Sequence, residues 1–181
     1  AATQAIAKLE SIFEVALFRR SHSGCYLTEF GSILLVRVER YFEQIEKAIA
    51  DVQPNVARAR TTASKVTGTH VRCMTKIAEH VSIEPAAGVL GISVAALSRA
   101  ARNLEKIVGR ELLHRGPQGV TLSKTGAAIA RRFELATREI ELAYEEVASA
   151  KGHSIASILI GALPLFPKQL IMSSLKDLKA E

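Results

Sequence analysis

GISVAALSRAARNLEKIVG, residues 91–109, is the stretch that decides the fold. Gly91 supplies a tight turn, and Ser93 reads as the N-cap of a helix. Leu97, Ala101, Leu104 and Val108 follow at steps of four, three and four, which stacks them on one inward face. Arg99, Arg102, Asn103 and Lys106 take the other side. Gly109 ends the helix as a left-handed terminator.

Working outward, THVRCMTKIAEH (69–80) places Val71, Met74, Ile77 and Ala78 at helical spacing. Ser82 reads as the N-cap of a second, short helix with Pro85 near its start and Leu90 at its end. Helix, short helix, glycine turn, helix is the helix-turn-helix pattern. Its third helix has the composition needed to enter a major groove. Guanidiniums reach phosphates or guanine edges, and the small Ala95 and Ala96 let the helix N-terminus come close. The expected DNA contacts here are Ser93, Ala95, Ala96, Ser98, Arg99, Arg102 and Asn103. ELLHRGPQGVTL (111–122) reads as a two-stranded wing. Arg115 at its turn, with Gln118, is expected on the DNA backbone or minor groove. SKTG (123–126) opens a helix of roughly 25 residues, about 40 Å long.

The chain states this pattern twice. LESIFEVALFRRSHSGCYLTEFG (9–31) lies over LEKIVGRELLHRGPQGVTLSKTG (104–126) at a shift of 95 positions, without a gap. The shift pairs Leu17 with Leu112, Arg20 with Arg115, Gly24 with Gly119, Leu27 with Leu122 and Gly31 with Gly126. It continues to Arg37 with Arg132 and Glu39 with Glu134. Chance helical similarity matches apolar positions; it does not keep two glycines and an arginine in step. The reading is a tandem duplication. Ala1 falls against Ala96, so the first copy is met within its recognition helix, and Ala1 is expected to be a truncation point.

The long helix of each copy carries a seam. Ile129, Phe133, Ala136, Ile140, Ala143 and Val147 are spaced 4, 3, 4, 3, 4, and Leu34, Val38, Tyr41, Ile45, Ala48 and Val52 repeat that spacing. A sustained seam pairs with another helix. The two seams are expected to pair either within one chain, as an intramolecular pseudo-dimer, or between chains as a homo-oligomer.

SIEPAAGVLGISVAALSRAARNLEKIVGRELLHRGPQGVTLSKTG (82–126) resembles the DNA-binding domain of LysR-type transcriptional regulators. The pattern carried is S-I-x-x-A-A-x-x-L-x-I-S-x-x-A-L-S-R, then L-E near the helix end, L-L-x-R in the wing and L-S-x-x-G before the long helix. The first copy matches its later part. The resemblance implies a winged helix-turn-helix, a dimerising linker helix and a two-lobed effector domain. It carries DNA contact to Ser93, Ser98, Arg99 and Arg115, with Thr3, Gln4, Lys8, Arg19 and Arg20 in comparable places of the first copy. Val94 and Ala95 depart from the family's usual Gln followed by Pro or Ser, so one polar contact of that helix is missing. SILIGALPLFPKQLIMSSLKDL is similar to the first strand and helix of the effector domain, too little to form a small-molecule pocket.

The expected fold is therefore mainly α: tandem winged helix-turn-helix units with long linker helices, the first copy incomplete, plus the start of a truncated α/β effector domain. The bounds are 1–52 for the partial unit, 53–68 for a linker, 69–150 for the complete unit and 151–181 for the effector start. The basic stretch 56–76 holds Arg58, Arg60, Lys65, Arg72 and Lys76 without an acid; it reads as a solvated linker leading into a helix rather than a DNA-tracking connector.

Composition agrees with a DNA partner. The 181 residues carry a net charge of +6 and 48% apolar residues, enough to bury a core. Cys25 and Cys73 stand apart with no C-x-x-C, which points to a reducing cytosol. The five histidines lack metal-ligand spacing, and there is no phosphate loop, G-x-S-x-G or paired acid and base, so no enzyme and no cofactor are expected. Double-stranded DNA in the cytoplasm, at the nucleoid, is the expected partner, with no membrane contact. A small-molecule effector is implied only for a full-length protein. The rival reading is a dimerisation or protein-interaction module that binds DNA weakly.

Overall fold

In the computed structural model, residues 2–53, 55–116 and 119–152 are described. They run α1 (Ala2–Phe13), β1 (Phe18–Ser21), β2 (Gly24–Leu27), α2 (Glu29–Ala50), α3 (Val56–Ala63), α4 (Gly68–Glu79), α5 (Ile83–Leu90), α6 (Val94–Val108), β3 (Leu113–Gly116), β4 (Gly119–Leu122) and α7 (Lys124–Ala150). Helices dominate, and each pair of strands forms its own antiparallel ribbon. The expected effector start at 151–181 falls, from residue 153 onward, outside the described residues.

The capping residues explain most boundaries. Ser93 sits in extended conformation and its hydroxyl accepts from the Ala96 N–H at 3.1 Å, while Gly91 (φ 65°) and Gly109 (φ 71°) close α5 and α6 in the left-handed region. Ser82 takes the N-cap position of α5 but makes no side-chain cap bond, contrary to the expectation for it. Arg115 lies within β3, opposite Val120, rather than in the turn itself.

Local geometry recurs at the 95-residue shift. Phe18 pairs with Leu27 in one ribbon and Leu113 with Leu122 in the other. Glu10 Oε1 accepts from Leu17 N at 2.8 Å and Phe18 N at 3.3 Å; Glu105 Oε1 accepts from Leu112 N at 2.8 Å and Leu113 N at 3.0 Å. Thr28 and Ser123 cap α2 and α7, and each donates its hydroxyl to a carbonyl before the ribbon, Ala16 O at 2.7 Å and Glu111 O at 2.8 Å. Gly31 and Gly126 sit so close to the preceding chain that a Cβ would stand 2.1 Å from Leu17 O and from Leu112 O. Only hydrogen fits there, which is why both positions are glycine.

α2 and α7 pack against one another antiparallel within the chain. Arg37, early in α2, reaches Glu139 and Glu146 in the second half of α7, whereas Asp51, just after α2, reaches Arg132 in the first half. Of the seam residues, Ile129, Phe133, Ala136, Ala143, Val147, Leu34, Ile45 and Ala48 are buried; Val38, Tyr41, Val52 and Ile140 are half-buried. The seam reading overlooked Ile49, fully buried beside Ala48. Burial of a side chain the size of Phe133 contributes about 2–3 kcal/mol. One large core joins the end of α2, α3 to α6 and the first half of α7, and a smaller one joins Phe13, Leu17 and Leu34 to Ala143 and Val147.

One expectation needs correction. The linker 53–68, and with it the start of the stretch 56–76 read as a solvated linker, is folded, because α3 lies inside it. Asn55 caps that helix, and Ala59, Thr62 and Ala63, one turn apart, are buried. In α1 the apolar side is largely uncovered: Ala2 and Leu9 are exposed, Ile6 is half-buried, and only Phe13 is buried. In α6, by contrast, Leu97, Ala101, Leu104 and Val108 are all buried, because α4 and α5 pack over them. Among the described residues no single helix is long and apolar enough to cross a membrane.

Candidate nucleic-acid interface

The left-handed turn at Gly91 sets α6 across α5. The buried stripe of α6 fixes its rotation, so its other side faces solvent. Ala95, Ala96, Arg99, Arg102, Asn103 and Lys106 are exposed there, and Ser98 is half-buried. Apart from the capping Ser93, the residues expected on this helix come together along one open groove, bordered by Thr67 and His70 at the start of α4. Among the described residues, no carboxylate pairs with Arg99, Arg102 or Lys106. Three uncompensated cations on one helix face form an anion-binding surface. Ser93 spends its acceptor on the helix cap and keeps its O–H to donate.

The wing is held to the reading helix by Glu105. Its carboxylate stands in the last turn of α6, where the helix dipole disfavours an acid, and it is satisfied by the N–H groups of Leu112 and Leu113. His114 and Arg115 on β3 are exposed, while Gln118 lies outside the described residues. The L-E motif was visible in the sequence; an acid at a helix C-terminus was the signal that it needed donors.

His70 is a positioning residue that sequence reasoning missed. It is 5% exposed and completes a capping box with Thr67: its Nδ1 accepts from Thr67 N at 3.1 Å, and Thr67 Oγ1 accepts from His70 N. Burial pushes its pKa below the usual histidine value. A neutral ring whose Nδ1 accepts carries its proton on Nε2, and Nε2 lies 3.4 Å from the Asn103 amide. The Asn103 atom at that distance is Nδ2, so His70 and Asn103 tie the start of α4 to the exposed face of α6.

In the first copy Thr3, Gln4 and Lys8 are exposed on α1, and Arg19 and Arg20 are exposed on β1. They form a separate surface from the α6 groove. By the 95-residue shift they stand where Ser98, Arg99, Asn103, His114 and Arg115 stand in the second copy.

Three helices with a left-handed glycine turn, a two-stranded wing and a long following helix define a winged helix-turn-helix. Residues 69–127 match the family described as bacterial regulatory helix-turn-helix protein, lysR family. The chain is 27% identical over 99% of its length to the HTH-type transcriptional regulator GalR of Pseudomonas putida, covering 44% of that protein. It is 31% identical over 59% of its length to the HTH-type transcriptional regulator GbpR of Rhizobium radiobacter, covering 36% of it. The crystal structure of the BenM DNA-binding domain with catB site 1 DNA is 28% identical at a TM-score of 0.41, over 49% of this chain and 96% of that one. The chain thus spans less than half the length of these curated relatives.

Proposed function

We propose that this chain is the DNA-reading part of a LysR-type, sequence-specific transcriptional regulator. The observation that carries the reading is the unpaired cationic face of α6 on a helix-turn-helix whose ends are fixed by Ser93 and Gly109. In this reading α6 lies in a major groove with Ser93, Ser98, Arg99, Arg102 and Asn103 toward the DNA, and Arg115 meets the flanking backbone. The match over 69–127 and the regulator names of the relatives support it.

The reading includes a tandem duplication. The recurrence of the Glu10 and Glu105 bonds, the ribbon registers and the two close-approach glycines at one constant shift supports it. So does the GalR alignment, which runs through both units. The two units pair through α2 and α7 of the same chain, as an intramolecular pseudo-dimer. The DNA contacts use protein side chains and need no cofactor. A small-molecule effector belongs to a two-lobed domain beyond the reading part, and the site of action is the cytoplasmic nucleoid.

A second reading is a protein-interaction module, favoured by the exposed Leu35, Val36 and Phe42 on α2. A titration of labelled duplex DNA at several salt concentrations separates the two. The DNA reading expects affinity that falls steeply with salt, by about 0.9 in log K per log salt for each phosphate neutralised. Absent affinity, or affinity indifferent to salt, supports the interaction module instead.

A further inference from the structure

The in-chain pairing of α2 and α7 has an internal symmetry. Exchanging every residue for its counterpart 95 positions away converts the Arg37–Glu146 ion pair into the Arg132–Asp51 ion pair, and both exist. The ends of the two reading helices, Val108 and Phe13, are counterparts at the same shift, and each carbonyl accepts from a side chain of the other copy, although the two donors are not themselves counterparts. A side chain just beyond α2, Gln53, donates to Val108 O at the end of α6, and a side chain just beyond α7, Lys151, donates to Phe13 O at the end of α1 at 3.5 Å. The frame is close to a two-fold, so α1 with β1–β2 and α6 with β3–β4 are presented as inverted counterparts.

The frame is symmetric but the reading faces are not. Thr3 stands against Ser98, Gln4 against Arg99, Ala7 against Arg102, Lys8 against Asn103 and Ser11 against Lys106. All are exposed except Ser98, which is half-buried. The change at the second of these positions alters base chemistry. An arginine donates twice to the O6 and N7 acceptors of guanine, whereas glutamine matches the N6 donor and N7 acceptor of adenine. The exposed face of α6 carries three cations, Arg99, Arg102 and Lys106, against Lys8 alone on α1.

We infer that one chain reads two unlike half-sites in inverted orientation: a tightly held one that presents guanine to Arg99, and a weaker one that presents adenine to Gln4. This rests on the DNA-reading function proposed above and adds the form of its target. A homodimer of one winged unit reads two equal half-sites, because its two reading helices are identical. Here the second reader is encoded in the same chain and is free to differ.

The test is selection of bound duplexes from a random library by the whole chain, sequenced for wild type, Gln4→Arg and Arg99→Gln. Both positions are exposed, and Arg and Gln form helix equally well, so the variants keep the fold. The wild type is expected to enrich two dissimilar inverted half-sites. Gln4→Arg is expected to exchange adenine for guanine at one position of the weaker half-site, with about a tenfold to hundredfold change in preference there. Arg99→Gln is expected to make the converse change in the stronger one. Two identical half-sites, a single half-site, or a Gln4→Arg motif unchanged from wild type overturns the inference while leaving DNA reading intact. No enriched duplex at all overturns both.

Discussion

Arg37 on α2 grips Glu146 on α7 bidentately through one edge of its guanidinium, Nε to Oε2 at 2.8 Å and Nη2 to Oε1, while its Nη1 holds Glu139 at 2.7 Å. The two carboxylates raise the already high pKa of the guanidinium, and its hydrogen bonds lower that of Glu146. The counterpart pair, Arg132 with Asp51, is single at 3.1 Å, because Gln44 stands where Glu139 stands in the other half.

Burial decides which of these pairs matters for stability. The Arg37 side chain is 12% exposed, against 36% for Arg132. Arg37→Ala leaves Glu139 without its partner at a covered helix junction and is expected to cost about 2 kcal/mol. Arg132→Ala is expected to change stability by less than about 0.5 kcal/mol. Urea denaturation of both variants checks the ordering.

Gly31 and Gly126 make the same prediction twice. A Cβ at either stands 2.1 Å from a backbone carbonyl oxygen, which no side-chain rotation relieves. Gly126→Ala is expected to destabilise by about 3 kcal/mol through overpacking. Gly31→Ala disturbs the smaller core around Phe13 and Leu34, so its effect on the melting temperature is expected to be the lesser of the two.

How far the sequence discloses the molecule differs from element to element. α6 was legible because its start is a capping serine, its end a glycine, and its four buried residues keep helical spacing. The seams were legible for the same reason, although spacing alone does not say that α2 pairs with α7 in antiparallel sense; that depends on where the cores of the two units come to lie. α3 escaped because VARARTTA has a weak apolar pattern, and small residues such as Ala59 and Ala63 are buried by their neighbours rather than by their own hydrophobicity. His70 escaped because a capping box ordinarily carries Glu or Gln at its third position rather than His, and because its other partner, Asn103, lies on α6, which only the fold brings near.

The pH dependence of stability follows from His70. Its pKa is lowered by burial, so between the unfolded value near 6.5 and the lower folded value the unfolded chain binds the extra proton. The stability it supports is fully present above about pH 6.5 and is lost as pH falls below that value, until the folded ring protonates too. Protonation also places an N–H against the Thr67 N–H that it now accepts. Urea midpoints at pH 7.5 and pH 5.5 are expected to differ, and His70→Asn is expected to shrink that difference. An unchanged difference in the variant assigns the pH dependence to other groups.

The most direct measurement is the mass, by sedimentation, of the complex between the whole chain and a duplex enriched by it. Two readers joined by α2 and α7 of one chain predict one chain per duplex, and a monomer at high concentration without DNA. Two chains on each duplex, or no complex with any duplex, contradicts the account.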